Sequence, residues 1–233
     1  MLFLYHTYYA SLFVTAVFCL YAYKYLDANF KWLLPFILFC ILFETASEFD
    51  WLIINHTNAS ATNFEEIIEF ILYTRFLLSL SDRRFHKRKA YVCFGIILLF
   101  GVINMVVLQG FWKMNTITMV LQSLFIITLV VNYYYRTLDK AEKGLELIKH
   151  PPFLIVTGLL FYFLGKFFLY TCFSYMAYKN NYDFYILAAT IPGLSNLLLN
   201  FMLMYAFFCA RRNKLKTTNG SIPATSAFFK IKN

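Results

Sequence analysis

Charge is what this chain has least of. Only 14% of its 233 residues are Asp, Glu, Lys or Arg, against roughly 25% in a soluble domain. Acids are the scarcer sign, 12 against 21 Lys and Arg, for a formal net charge of +9. That surplus does not point to a nucleic-acid partner. The basic residues fall in short clusters between apolar runs, which is the pattern of cytoplasmic membrane loops. Histidine is rare too. His6 and His56 lie towards one surface, His86 and His150 lie in loops of the other, and no HxxxH or ExxH spacing occurs. Histidine support for a metal site is therefore poor, which leaves a metal site or proton relay resting on the ExxxE of the second helix and the ExxE of the third. Intramembrane hydrolases of the ceramidase type, which need several histidines in the bilayer, are excluded. The five cysteines, Cys19, Cys40, Cys93, Cys172 and Cys209, each sit inside an apolar run with no metal-site spacing, and read as small buried hydrophobes. There is no GxSxG, HExxH, Walker or dinucleotide motif, so neither cofactor nor catalytic residue is assigned. Phe184–Ala210 holds no lysine, which removes a retinal Schiff base at the usual place. The N-terminus lacks the positive region and small-residue cleavage site of a signal peptide, and is expected to be retained as a first helix.

What is abundant is apolar surface: 61% of residues are hydrophobic and 21% aromatic. A soluble fold of this length cannot hide so much, so the solvent is lipid. A spanning helix needs roughly 20 mostly apolar residues, and seven stretches qualify: about 5–23, 32–54, 64–80, 90–108, 116–135, 152–175 and 184–210. The expected fold is an all-α bundle of seven transmembrane helices in one domain, followed by a basic, flexible tail over 211–233. Loop charges test that count. The first loop carries Lys24 and Lys31, and the second has no Lys or Arg. The third carries Arg83, Arg84, Lys87, Arg88 and Lys89, the fourth only Lys113. The fifth carries Arg136, Lys140, Lys143 and Lys149, the sixth only Lys179, and the tail Arg211, Arg212, Lys214, Lys216, Lys230 and Lys232. The two sides alternate throughout. The positive-inside rule then places the N-terminus outside and the C-terminus in the cytoplasm, in a multi-pass protein of a bacterial cytoplasmic membrane. Pro192 and Gly193 are expected to kink the seventh helix.

The scarce acids concentrate in one stretch, between Glu44 and Arg75. Charges at membrane depth are costly and mark function by default. Glu44 falls near mid-membrane, with Glu48 roughly 6 Å further out on the same helix face. Glu69 lies one turn below Glu65, Arg75 near the middle, and Lys166 near the centre of the sixth helix. These five should face inward and pair. Glu44 or Glu48 is expected to meet Lys166, and Glu69 to meet Lys166 or Arg75, although Glu69 and Arg75 lie about 120° apart around one helix. Gln122 and Asn196 can join from neighbouring helices, as can Asn104, Ser123, Ser195 and Asn200. Asp50, Glu65 and Glu66 form an acidic outer rim.

The blocks NFEEIIEFILY (from Asn63) and HPPFLIVTGLLFYFLGKFFLY (from His150) carry a resemblance. The chain resembles a group of short seven-helix bacterial membrane proteins. That resemblance implies the seven-helix fold and no activity, since the group has none to transfer.

Three functions compete. The leading one is a sensor-like or receptor-like protein. It binds a small polar ligand or ion from outside through the buried Glu/Lys/Arg cluster, and signals to a cytoplasmic or membrane protein partner or within a homo-oligomer. The second is a small-solute or ion carrier of 3+1+3 helix arrangement, supported by an echo between LLPFILFCILFETASEF and HPPFLIVTGLLFYFLGKFF. The third is an intramembrane lipid-modifying enzyme. A structural ion-pair network is the alternative to all three.

Overall fold

A computed structural model describes residues 2–81, 84–141, 147–179 and 182–218. Seven long helices account for most of them: α1 (Leu2–Ala22), α2 (Leu33–Glu48), α3 (Ala59–Ser79), α4 (Arg84–Ile103), α5 (Thr116–Ala141), α6 (Pro151–Lys179) and α7 (Tyr182–Thr218). Among the described residues there is no strand, and one isolated bridge joins Ile54 to Thr57. A 3₁₀ turn (Tyr23–Tyr25) and a one-turn helix (Ala28–Lys31) link α1 to α2, and a π-turn (Asn104–Leu108) extends α4. All the long helices except α3 contain a segment long and apolar enough to cross a membrane, six in all. This is the outline of a polytopic membrane protein. Helix α3 misses that standard because Glu65, Glu66, Glu69 and Arg75 fall within its 21 residues.

Successive helices run antiparallel. The start of α1 meets the end of α2 through Tyr9 and Thr45, whose hydroxyls lie 2.7 Å apart. The end of α5 meets the start of α6 through Tyr134 and Thr157, 2.8 Å. One end of the bundle thus gathers Lys24, Lys31, Arg136, Lys149 and Arg211, and is called the basic end below. The opposite end carries Glu48 and Asp50, at the turn that closes α2.

Several boundaries differ from those read in the sequence. Helix α2 stops at Glu48, not 54, because the chain turns sharply through left-handed backbone at Asp50 (φ 58°), Asn55 (φ 52°) and His56 (φ 62°). Those conformations suit Asn and Asp but end a helix. Helix α3 accordingly begins at Ala59 rather than near 64, where the Thr57 hydroxyl accepts the Ala59 N–H at 3.1 Å. Helix α5 runs on to Ala141 instead of ending near 135. Helix α7 continues through Pro192 and past Ala210 to Thr218, so the first part of the expected tail is helical. The remainder of that tail lies outside the described residues.

The apolar core occupies the basic half of the bundle. It is built from Ala16 and Cys19 of α1, Phe36 and Ile37 of α2, Phe70 to Leu77 of α3, Ile126 and Val130 of α5, Leu154 to Phe163 of α6, and Leu199 to Phe207 of α7. Helices α6 and α7 share the most extensive contact of the bundle and close on each other at two glycines. A Cβ on Gly158 would lie 2.9 Å from Leu199, and one on Gly165 would lie 2.7 Å from the Ser195 hydroxyl. Small residues at such contacts let transmembrane backbones close together. Helix α4 lies on the outside, with Ile96, Leu99, Val106 and Val107 exposed, as suits contact with lipid.

Candidate functional site

Helix α3 is the long helix without an apolar spanning segment, yet 11 of its 21 residues are buried. Ala59, Asn63, Glu66, Phe70, Tyr73 and Leu77 are all buried and recur at spacings of three and four, which puts them on one face. The upper part of that face is polar and the lower part aromatic. Glu69 lies beside Glu66 on the same side. Its exposure, like that of Glu66, is only 6%.

Both carboxylates point at one ammonium. Lys166 Nζ lies 2.7 Å from Glu66 Oε1 and pairs with Glu69 Oε2. Two tyrosines of α6 complete the shell. The Tyr162 hydroxyl donates to Glu69 Oε1 at 2.6 Å, and the Tyr170 hydroxyl donates to Glu66 Oε1 at 2.7 Å. Tyr162, Lys166 and Tyr170 are spaced i, i+4, i+8, so a single face of α6 presents a donor, a cation and a donor. The ammonium also lies 4.7 Å from the centre of the Tyr162 ring. The cluster's formal charge is −1, from two carboxylates and one ammonium. Buried ions are tolerated where each is paired and hydrogen-bonded, and here every member has at least two partners except the tyrosines.

Below the cluster the packing is aromatic. Tyr73 meets the rings of Tyr162 (6.3 Å between centres), Phe163 (5.7 Å) and Phe36 (4.9 Å). Tyr73 also lines a small cleft of about 50 Å³ towards the basic end, together with Trp32, Arg75 and Ser79.

Of the residues singled out in the sequence, the structure brings Glu69 and Lys166 together. It adds Glu66, which had been expected on the outer rim. The reason is the earlier start of α3: Glu66 lies seven residues into the helix, about 10 Å from its beginning at 1.5 Å per residue. Glu65, one position back and so about 100° round the helix, is half-buried. Glu44 is half-buried at the α1–α2 contact, where the Tyr5 hydroxyl reaches Glu44 Oε2 at 3.4 Å. Glu48 and Asp50 are exposed. Arg75 does not join the buried group. It is exposed, and its guanidinium stacks 4.3 Å from the centre of the Trp32 ring. The turn of α3 that separates it from Glu69 carries it to the α2 side. Gln122 is buried on α5 and Asn196 half-buried on α7.

A second polar junction joins α3 to the α4–α5 connection. Asn63 Nδ2 donates to the Lys113 carbonyl at 2.9 Å, and Asn63 Oδ1 accepts the Asn115 N–H at 2.9 Å. Asn115 in turn donates to the Gly101 carbonyl (3.1 Å) and accepts from Thr118 (2.8 Å). Asn104, at the start of the π-turn, donates to Asn115, Thr118 and Gln109. Asn104 thus belongs to this amide network and not to the charge cluster.

Sequence reading missed Tyr162, Tyr170, Asn63 and Asn115. The tyrosine pair had a usable signal, its four-residue spacing on either side of Lys166. Among the described residues, no three His, Cys, Asp or Glu side chains gather to hold a metal ion. No family model matches the chain, and neither a curated protein nor a solved structure matches it.

Proposed function

We propose that the chain is a seven-span protein of a bacterial cytoplasmic membrane, with its N-terminus outside. In this reading it is receptor-like: a small cation, or a polar ligand bearing one, binds from the outer side at the Glu66–Glu69–Lys166 cluster. The observation that carries the reading is the unequal count of two carboxylates to one ammonium in a buried, tyrosine-lined setting. An uncompensated negative charge at that depth is costly, and a bound cation offsets it. Alternating loop charge supports the orientation. It makes α3 the remaining span despite its polarity, because Glu66 and Glu69 face Lys166 of α6 rather than lipid and Arg75 lies towards the basic end. Signalling in this reading runs along the aromatic stack. Tyr162 touches the cluster, Tyr73 touches Tyr162, and Tyr73 also lines the cleft near the basic, cytoplasmic end.

The test is thermal melting of detergent-purified protein with sodium, potassium, ethanolamine or putrescine added singly. A ligand that binds the folded state raises the melting temperature. At least one cation should do so in the wild type and fail to do so in Glu69→Gln; a panel with no effect on the wild type overturns the reading. A fluorescent protein fused after Asn233 should fold and fluoresce in the cytoplasm, whereas alkaline phosphatase at the same place should stay inactive.

One observation favours a carrier as the second reading. Pro192 and Ser195 of α7 press on Gly165, next to Lys166, so a bend of α7 at Pro192 would move directly against the cluster. Counterflow in proteoliposomes separates the two, because a carrier exchanges labelled cation and a receptor does not.

A further inference from the structure

The cleft at the basic end has a composition that the charge cluster does not explain. Its rim is polar, with Asn29 of the one-turn helix, Arg75 and Ser79 of α3, and the indole of Trp32; its inner wall is Phe36 and Tyr73. Arg75 is the cation of this rim. Among the described residues it has no carboxylate partner, and Trp32 is the group it stacks on. Elsewhere at this end Lys214 has Asp27 at 3.4 Å and Arg136 has the Ser81 hydroxyl at 2.7 Å, while Lys31 and Arg211 lie over the rings of Tyr23 and Tyr21. Arg75 differs from these last two in lining a cleft. An arginine held flat against an indole keeps its N–H edge free to grip an anion with two donors at once.

The position narrows the anion. Trp32 is 52% exposed, and Ile71 and Ile68, one and two turns from Arg75 on its own face of α3, are 39% and 36% exposed, so the mouth of the cleft opens on the bundle's apolar surface near its end. Tryptophan and arginine share this level at a membrane interface. Polar groups that meet an apolar wall at that level fit a molecule that is anionic at one end and hydrocarbon at the other. Basic pockets between helices on the cytoplasmic side bind anionic headgroups for the same reason.

We infer that Arg75, with Asn29, Ser79 and Trp32, forms a binding site for the phosphate of an anionic phospholipid in the leaflet at the basic end. The guanidinium takes the phosphate oxygens, the Asn29 amide and Ser79 hydroxyl supply flanking polar contacts, and the acyl chains run along the apolar surface of Ile71 and Ile68. The site stands on its own cleft and is independent of what the charge cluster binds.

Native mass spectrometry of the detergent-purified full chain tests it, with phosphatidylglycerol, phosphatidylcholine and free glycerol 3-phosphate as separate probes. Phosphatidylglycerol should give one preferred adduct, held more tightly than phosphatidylcholine and not displaced by millimolar glycerol 3-phosphate. Arg75→Gln should weaken that adduct about fivefold, the equivalent of about 1 kcal/mol for one interfacial charge. Asn29→Asp, an exposed change that leaves Arg75 in place, should weaken it as well by placing a carboxylate at the rim. Arg211→Gln alters a basic group at the same end that stacks on Tyr21 at 4.0 Å, and should leave the adduct unchanged. Equal loss in Arg75→Gln and Arg211→Gln would reduce the site to general surface charge and overturn the proposal. So would an unaltered adduct in Asn29→Asp. Displacement by glycerol 3-phosphate would assign the cleft to a free phosphate instead of a lipid.

Discussion

Helix α3 makes two polar junctions a short distance apart, and they hold the bundle by different means. At Glu66 and Glu69 it meets α6 through charges, across long side chains and with both tyrosines pointing inward. At Asn63 it meets the α4–α5 connection through neutral amides, two of whose bonds go to backbone groups of that connection. The charged junction is strong only while its count of charges is kept. Remove the one ammonium and two carboxylates face each other in a buried place. The amide junction has no such all-or-none partner, and its loss leaves two backbone groups to find water or go unpaired. Charge concentrates dependence on one residue, and amides distribute it.

Five substitutions probe that contrast, one of them as a second change, from the largest expected effect to the smallest. Lys166→Met should cost about 3–5 kcal/mol of stability, the range seen when one partner of a buried pair is removed. Thermal denaturation of the purified protein reads it. Adding Glu69→Gln to that variant should recover part of the loss, because the second change removes one stranded carboxylate; a double variant less stable than Lys166→Met would break the comparison. Asn63→Ala should cost about 2 kcal/mol by orphaning the Lys113 carbonyl and the Asn115 N–H, and hydrogen exchange at Asn115 should rise with it. If Asn63→Ala costs more than Lys166→Met, the amide junction is the keystone instead. Tyr162→Phe should cost about 1 kcal/mol, the size of a single hydrogen bond within a membrane. Asp50→Asn, at an exposed loop position, should stay within about 0.5 kcal/mol of the wild type by the same melting measurement.

The two junctions were not equally legible in the sequence. A lysine inside FYFLGKFFLY is conspicuous because nothing around it is polar, and the acids of NFEEIIEF are conspicuous for the same reason. Cost says that they must pair but not with whom: Glu69 with Lys166 is one expected pairing, whereas Glu44 or Glu48 with Lys166 is another and is not formed, the ammonium going to Glu66 instead. Asparagines give no such signal. Asn63, Asn104 and Asn115 lie near helix ends, where amides are ordinary, and only three-dimensional contact shows that they form one network. Helix α3 itself could be located only by its place between a loop with no Lys or Arg and a loop rich in them, since hydropathy passes over it. The misplacement of Glu66 traces to the segment Trp51–Ile54. It is apolar enough to extend α2 on paper, but the left-handed turn at Asp50 ends the helix first. Arg75 was assigned to the buried group on depth, whereas the angle around α3 is what decides its neighbours, and that angle sends it to Trp32.

The Lys166–Glu69 pair spans 97 positions of sequence, and this has a consequence for biosynthesis. At roughly 5–20 residues per second of translation, the ammonium emerges several seconds or more after the acids it neutralises. On the seven-span topology proposed above, α3 therefore leaves the ribosome as a segment that cannot enter lipid unaided, since each acid costs about 2.5–3.5 kcal/mol near a helix centre during insertion. It has to wait, lodged in the insertion machinery or against helices already in place, until α6 arrives. Nascent chains arrested before Lys166 should consequently show α3 accessible to aqueous labelling, and chains arrested after α6 should not. The order in which this protein enters its membrane is then not the order in which it is made.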